Sequence, residues 1–237
     1  MTTPTVLSAG LDRFQTGIVG LDRILHGGFL QYGLYVLIGG PGTGKTTLLN
    51  HISFNHQQDG GKIVYVTVLT ETHTRLLSYL RQFTFFNEAV VGTRVTYISA
   101  FEPLREHGFD GLLNFLLPLM RKEQPSMLVL DGVPINPPDI PYDPALKSLI
   151  YALQTYNDFL HTTSFILSTD HEYVWNSRVL MMVDGALELT KTVTGRALKR
   201  AVQVRVFRGS THDAGFYRLK LTENGVAVFN DTPITGS

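Results

Sequence analysis

The sequence contains no cysteine. Disulfides, thiolate catalysis and Cys-ligated zinc or iron–sulfur centres are therefore excluded, and a reducing cytoplasm is the expected setting. An excess of either charge is also missing, since 20 Lys and Arg face 20 Asp and Glu. No net field draws the whole molecule toward nucleic acid or acidic lipid, although balance leaves room for a local basic patch. No run approaches the ~20 apolar residues of a membrane span. Met1–Gly10 shows no basic segment followed by an apolar one, so no signal peptide is expected. There is no internal repeat and no low-complexity block. The 8 histidines include no H-E-x-x-H pattern, so a zinc site is not expected. His51 and His56 read as surface or packing residues.

What is present is apolar content. Hydrophobic residues make up 43% of 237 and charged residues 17%, enough for one sizeable α/β core. Short apolar runs at Leu34–Ile38, Ile63–Leu69, Val95–Ser99, Met127–Leu130 and Ser164–Leu167 read as strands. Helical spacing separates them, from Lys45 to Gly60–Gly61, over His73–Phe83, over Phe109–Glu123 with a kink expected at Pro118, and after the Asp143-Pro144 cap. Alternation of this kind predicts crossover units and a mostly parallel sheet with helices on both faces. Beyond about residue 178 the pattern changes. Val179–Val183, Ala186–Leu189, Val202–Phe207, Phe216–Leu221 and Val226–Phe229 read as strands extending one edge in antiparallel fashion. Residues 1–15 read as a leader, 16–230 as the domain and 231–237 as a tail.

Gly39-Gly40-Pro41-Gly42-Thr43-Gly44-Lys45-Thr46 fits G-x-x-x-x-G-K-[ST] and lies between a strand and a helix. Glycines allow backbone N–H groups to close around phosphates, and the helix N-terminus adds a positive dipole end. Lys45 would reach the β and γ phosphates, the Thr46 hydroxyl would join a Mg²⁺ shell, and Thr47 would sit by the α phosphate. Asp131, at the tip of an apolar strand, is placed to hold the same ion. The competing account of Asp131 is a turn cap. ATP and Mg²⁺ are thus the expected ligands of a P-loop core.

Two further motifs carry a resemblance. Thr16-Gly17-Ile18-Val19-Gly20-Leu21-Asp22 with Gly27-Gly28-Phe29 stands before the P-loop. Phe207-Arg208-Gly209-Ser210-Thr211-His212-Asp213, Gly215 and Leu221-Thr222-Glu223-Asn224-Gly225-Val226 stand near the far end. Together they resemble the KaiC-like ATPases of the RecA superfamily over nearly the whole chain. The resemblance implies one RecA-like domain that self-associates into a ring, expected to be a hexamer, with ATP at the subunit interface. It implies that Arg208 reaches a neighbour's γ-phosphate with His212 nearby. The competing accounts are a solvated arginine and a turn histidine. The family's paired glutamates after the second strand correspond here to Thr70 and Glu71, so the base position carries a residue that cannot take a proton at neutral pH. Glu71 is the remaining carboxylate. A family lysine two residues before the arginine is Val206 here. The clock protein's phosphoacceptor pair is missing, its region reading Met182-Val183-Asp184-Gly185.

Ser168-Thr169-Asp170 ends the fifth strand, where γ-phosphate sensing and strand capping are equal readings. Lys191, Arg196, Lys199, Arg200 and Arg205 span a predicted hairpin. A solvated face is the default reading there, with nucleic acid or a neighbour's phosphates as the sharper ones. Three functions stay open: a slow oligomeric ATPase with a regulatory role, a nucleotide-gated scaffold acting through an unidentified protein partner, and a DNA-associated recombination accessory protein. Thr70 bears on the first two. Against the third, the loop 133–143 holds four prolines, two aspartates and no Lys or Arg, which is unsuited to tracking phosphates. The segment His171–Ser177 also lacks Lys and Arg. Binding to single- or double-stranded DNA at physiological salt should accordingly stay weaker than micromolar in fluorescence anisotropy. Tighter, salt-sensitive binding lost on neutralising Lys199 and Arg200 would promote the third function.

Overall fold

The structure, a computed structural model, describes residues 12–70, 72–135, 144–169, 178–195 and 197–230. Its frame is a nine-stranded sheet. Five strands run parallel: β3 (Leu34–Ile38), β4 (Ile63–Thr67), β5 (Val95–Ser99), β6 (Met127–Asp131) and β7 (Thr163–Ser168). In chain order they follow β1 (Arg13–Phe14) and β2 (Phe29–Leu30), which form a separate two-stranded sheet. Every residue of β3, β4, β6 and β7 is buried. That is why these strands read as unbroken apolar runs and not as alternating ones. β8 (Gly185–Thr194) joins the other side of β3 in parallel. β9 (Ala197–Phe207), β10 (Tyr217–Thr222) and β11 (Gly225–Phe229) then extend the edge antiparallel. The order is β11-β10-β9-β8-β3-β7-β6-β4-β5.

Side chains alternate between two cores, as a pleated strand requires. On one face, Tyr35, Leu37, Tyr65, Val129 and Leu167 meet α1 (Val19–Ile24), α2 (Lys45–Gln58) and α3 (His73–Leu80). On the other, Val36, Ile38, Val66, Leu130 and Ile166 meet α4 (Phe101–Glu123) and α5 (Pro144–Leu160). Phe29, Tyr35 and Phe165 cluster with ring centroids 4.5–5.6 Å apart. Burial of each such ring contributes about 1.5–3 kcal/mol. The Tyr35 hydroxyl accepts from Leu30 N at 2.8 Å and donates to Leu30 O at 2.9 Å, so the one polar atom in the cluster is satisfied. Among the described residues, no helix is long and apolar enough to cross a membrane.

Several expected elements differ. Val179–Val183 is not a strand: Arg178–Met181 forms a 3-10 helix whose Val179 and Leu180 plug the α4–α5 core. An apolar run this short satisfies either burial pattern, and tertiary packing decided it. The helix expected over Phe109–Glu123 is present, but α4 also includes an unexpected helical segment from Phe101, set off from it by a break at Gly108 (φ +60°, ψ −150°). Pro118 introduces no non-helical backbone. It faces solvent, where water can satisfy the carbonyl it leaves unbonded. β4 stops at Thr67 and α3 at Leu80, both short of the expected Leu69 and Phe83. The Asp143 cap, Glu71, Asp170 and His171–Ser177 lie outside the described residues.

The glycine-rich opening motif is architectural. The Asp22 carboxylate accepts from Thr16 N and Thr16 Oγ1, both at 2.8 Å, and from Gly17 N at 3.1 Å, which closes the turn into α1. α1 then lies on β11 so closely that a Cβ on Gly20 would stand 1.8 Å from the Val228 carbonyl oxygen. The two end motifs therefore meet in space. Gly20→Ala should destabilise by about 2 kcal/mol through overpacking, against a helix propensity that favours Ala by roughly 1 kcal/mol. At about 2–4 °C per kcal/mol for a chain of this size, the net ~1 kcal/mol should lower Tm by ~2–4 °C in calorimetry. Val19→Ala, at a residue 76% exposed, should leave Tm nearly unchanged, and equal behaviour of the two variants would show that α1 does not sit on β11.

Candidate functional site

The P-loop connects β3 to α2. Gly44 precedes α2 at φ +106°, a backbone region that L side chains rarely adopt. Gly39 has a second reason to be glycine: a Cβ there would meet the Leu189 carbonyl oxygen of β8 at 2.2 Å. The first N–H groups of α2 have no intrahelical partner and present a positive end to the loop. Lys45 is only 7% exposed, and its Nζ donates to the carbonyls of Gly39 at 2.5 Å and Gly40 at 3.2 Å. Burial pushes the ammonium pKa down, while the nearby Asp131 carboxylate opposes that shift. The Thr43 hydroxyl donates to Gly40 O at 2.9 Å.

Asp131 ends β6 and is 5% exposed. Its Oδ2 accepts from Thr46 Oγ1 at 2.9 Å and from the Tyr65 hydroxyl at 2.7 Å. Burial, with the carboxylate as a second cause, pushes the Tyr65 pKa up, so the phenol keeps its proton and remains a donor. Tyr65 fixes the carboxylate's orientation from behind. It escaped the sequence reading because only the β4–β6 register brings it there, with Tyr65 beside Val129 and Thr67 beside Asp131. A hydroxyl and a carboxylate are hard oxygen donors, and Mg²⁺ is held by one or two carboxylates plus phosphate and water. The Thr46–Asp131 pair fits that ion. No group of three or more His, Asp or Glu among the described residues could hold a metal by itself.

Gly42, Gly44, Lys45, Thr46, Thr47, Asp131, Thr169 and Arg200 line a cleft of about 300 Å³, together with Pro41, Leu69, Gly132, Leu167 and Leu221. Leu69 supplies the wall beyond the end of β4, while Thr70 is exposed and is not a lining residue. The basic hairpin turns back on this loop. Lys191 and Arg200 face each other across β8 and β9. Lys191 Nζ donates to Pro41 O at 2.8 Å, and Arg200 Nε to Gly42 O at 3.1 Å. They follow Leu187 and Leu189, and precede Val202 and Val204, on the strand face that covers α2. Period-two alternation carries that signal, but only the β3–β8 pairing shows what the face covers. Arg205 pairs with Glu188 at 3.5 Å, and Lys199 is exposed. Lys191 remains exposed and Arg200 partly so, but both also tie the hairpin to the P-loop.

Arg208 lies elsewhere. Phe207 pairs with Gly185, and Gly185 with Tyr35, so Arg208 sits at the opposite end of β3 from the P-loop. At ~3.3 Å per residue, a five-residue strand separates them by about 17 Å. The guanidinium is exposed and donates to Met181 O. His212 is half-buried with its ring 6.3 Å from Phe207. Their loop is tied down by the opening motif. Arg13 Nη2 donates to Ser210 Oγ at 2.6 Å, and the His26 ring bridges Thr211 Oγ1 at 2.9 Å and Asp213 Oδ1 at 2.8 Å. Within one chain, then, the structure joins Lys45, Thr46 and Asp131 and leaves Arg208 and His212 apart from them.

Comparison with known proteins agrees with this architecture. A UPF0273 protein of Thermotoga maritima is 26% identical over 239 residues, covering 92% of this chain and 96% of that one. The circadian clock oscillator protein KaiC of Parathermosynechococcus lividus is 26% identical over 93% of this chain, which spans 43% of that longer protein. The crystal structure of a KaiC-like protein from the archaeon Pyrococcus horikoshii superposes with a TM-score of 0.74 at 22% identity, covering 92% of this chain and 99% of that one. The family model described as ATPase: KaiC matches residues 14–233. The chain belongs to the KaiC ATPase family.

Proposed function

We propose that the chain binds Mg·ATP in the cleft above β3 and β6, and hydrolyses it slowly as a self-associating ATPase with a regulatory role in the cytoplasm. The observation that carries this reading is the Thr46–Asp131 contact at 2.9 Å, with the Lys45 ammonium over the loop carbonyls. Thr46 and Asp131 would hold the magnesium ion, which when bound supplies charge neutralisation at the phosphate oxygens. Lys45 would exchange its carbonyl partners for β- and γ-phosphate oxygens. The backbone of Gly39, Gly40, Pro41, Gly42, Thr43 and Gly44 would cradle the phosphates, with Thr47 at the inner end.

Slowness follows from the base position. By the family resemblance that position is Thr70, whose hydroxyl cannot take a proton at neutral pH, and a positioned base contributes ~10²–10⁴-fold. That same threonine favours the second reading, a nucleotide-gated scaffold that signals through a protein partner. The remote Arg208 supports assembly. It cannot serve the P-loop of its own chain, and an exposed arginine at the opposite sheet end suits a head-to-tail ring, a hexamer by the family resemblance, in which it and His212 face a neighbour's nucleotide. The ties of Lys191, Arg200 and Arg205 to this chain's own groups reduce what the hairpin offers nucleic acid.

Lys45→Ala should remove a charge-assisted contact to phosphate, which costs about 1.5–3 kcal/mol. Mg·ATP affinity should fall ~10- to 100-fold in isothermal titration while the far-ultraviolet circular dichroism stays unchanged. Unchanged affinity in the folded variant would remove the phosphate assignment.

Assembly gives the second test. Light scattering should show Mg·ATP shifting small species to a ring, because a ligand that bridges two subunits favours association. Arg208→Ala should lower turnover by about 10³-fold, the scale of an arginine acting on the γ-phosphate. Mixing Arg208→Ala with Lys45→Ala subunits should restore a fraction of the activity, since some interfaces regain one intact site. A monomer at high protein and nucleotide concentrations would sink the ring.

A further inference from the structure

We propose that His73, acting through the Thr67 hydroxyl, positions and deprotonates the water that attacks ATP. The inference rests on the reading of the cleft as a hydrolytic Mg·ATP site.

β4 ends at Thr67, which lies beside Asp131 of β6 in the parallel register. Thr67 is two residues beyond Tyr65 and so shares its face of the sheet, the face that meets α2. There Thr46, Thr67, Leu69, Leu76 and Asp131 enclose a pocket of about 20 Å³. A space of ~10–15 Å³ or more accommodates one water molecule when two to four polar partners surround it. Thr46 and Asp131 are the proposed magnesium ligands, which leaves Thr67 as the side chain that would orient a water beside the ion. The pocket thus adjoins the phosphate end of the cleft, and its apolar walls, Leu69 and Leu76, leave the Thr67 hydroxyl to direct that water.

Behind Thr67 stands a base. His73 opens α3, and its Nε2 lies 3.0 Å from Thr67 Oγ1. The imidazole is half-buried, with the Tyr97 ring of β5 at 6.1 Å. Arg75, on the same helix, is exposed and turns its Nε to the Tyr79 hydroxyl at 2.5 Å. Asp131 is the carboxylate of the neighbouring strand and is reached through Thr67 and the pocket. Burial holds the His73 pKa below the ordinary imidazole value, so the ring is neutral at neutral pH and can accept a proton.

With the ring proton on Nδ1, Nε2 accepts the Thr67 hydroxyl proton while that oxygen takes one from the water. The water oxygen bonds to the γ-phosphorus as the bond from phosphorus to the β,γ-bridging oxygen breaks, and ADP departs with that electron pair. His73 then returns the proton to solvent. The net reaction is ATP and water to ADP, phosphate and a proton. In this scheme Thr67 touches the attacking water and is catalytic, while His73 acts through Thr67 and is a positioning residue.

The test uses the full chain with Mg²⁺, a fluorescent N-methylanthraniloyl-ATP for affinity and single-turnover hydrolysis of γ-labelled ATP for rate. His73→Ala and Thr67→Val should each lower the single-turnover rate by about 10²-fold with affinity within twofold of wild type. Thr67→Ser should retain the rate. Free imidazole should restore His73→Ala but not Thr67→Val, which a purely structural role would not produce. His73→Gln, close in size, should be slow as well and guards against misfolding of the alanine variant. Wild-type rates in both His73 variants, or a loss that imidazole leaves untouched, overturn the proposal. So does a wild-type chain that binds the analogue but releases no phosphate, an outcome that leaves the nucleotide site standing. A wild-type chain that binds no analogue removes the nucleotide site and the relay with it.

Discussion

The parallel register of β3, β7, β6 and β4 is the constraint on which the site depends. Their hydrogen-bond pairing sets Ile38 beside Ser168, Asp131 beside Leu167 and Thr67 beside Asp131. The carboxyl ends of the strands therefore finish on one line, and the loops that leave them open into a common crevice, the usual place for ligands in an open α/β sheet. A slip of β4 by one residue would turn Tyr65 and Thr67 to the opposite face. The complete burial of these strands prevents it, since a slip would exchange the side chains of two differently shaped cores.

Around that line the chemistry is layered. Lys45 and Thr46 come from the turn into α2, a strictly local structure. Asp131 comes from a strand two places away in the sheet, and its carboxylate joins Thr46 to Tyr65. β8, on the other flank, continues past β3 and brings Lys191 over the loop, with Arg200 opposite it on β9. Two cations already bonded to loop carbonyls link the P-loop of this chain to its own antiparallel edge.

The structure also separates what motifs alone run together. The opening glycine motif turns and seats α1, whose Gly20 touches β11, and Arg13 and His26 grip the loop after β9. Its function is to connect the two ends of the chain. The motif at Arg208 contributes nothing to its own P-loop, because β9 runs back to the far end of β3.

By itself the sequence determined the local and periodic features. The P-loop, the apolar parallel strands, the carboxylate at a strand tip and the absence of thiol chemistry were all legible, because each depends on residues close in sequence or on a repeat of period 2 or 3.6. Tertiary structure decided the rest. It made Val179–Met181 a 3-10 turn, since packing between α4 and α5 outweighed β propensity, and it left α4 unbroken at Pro118, a proline that faces water. It put Leu69 in the cleft wall, Tyr65 behind Asp131, His73 behind Thr67 and two cations of the hairpin on the P-loop. None of these pairings is encoded by spacing along the chain. Each follows from which strands are neighbours and in what register, a choice made by burying two apolar faces at once.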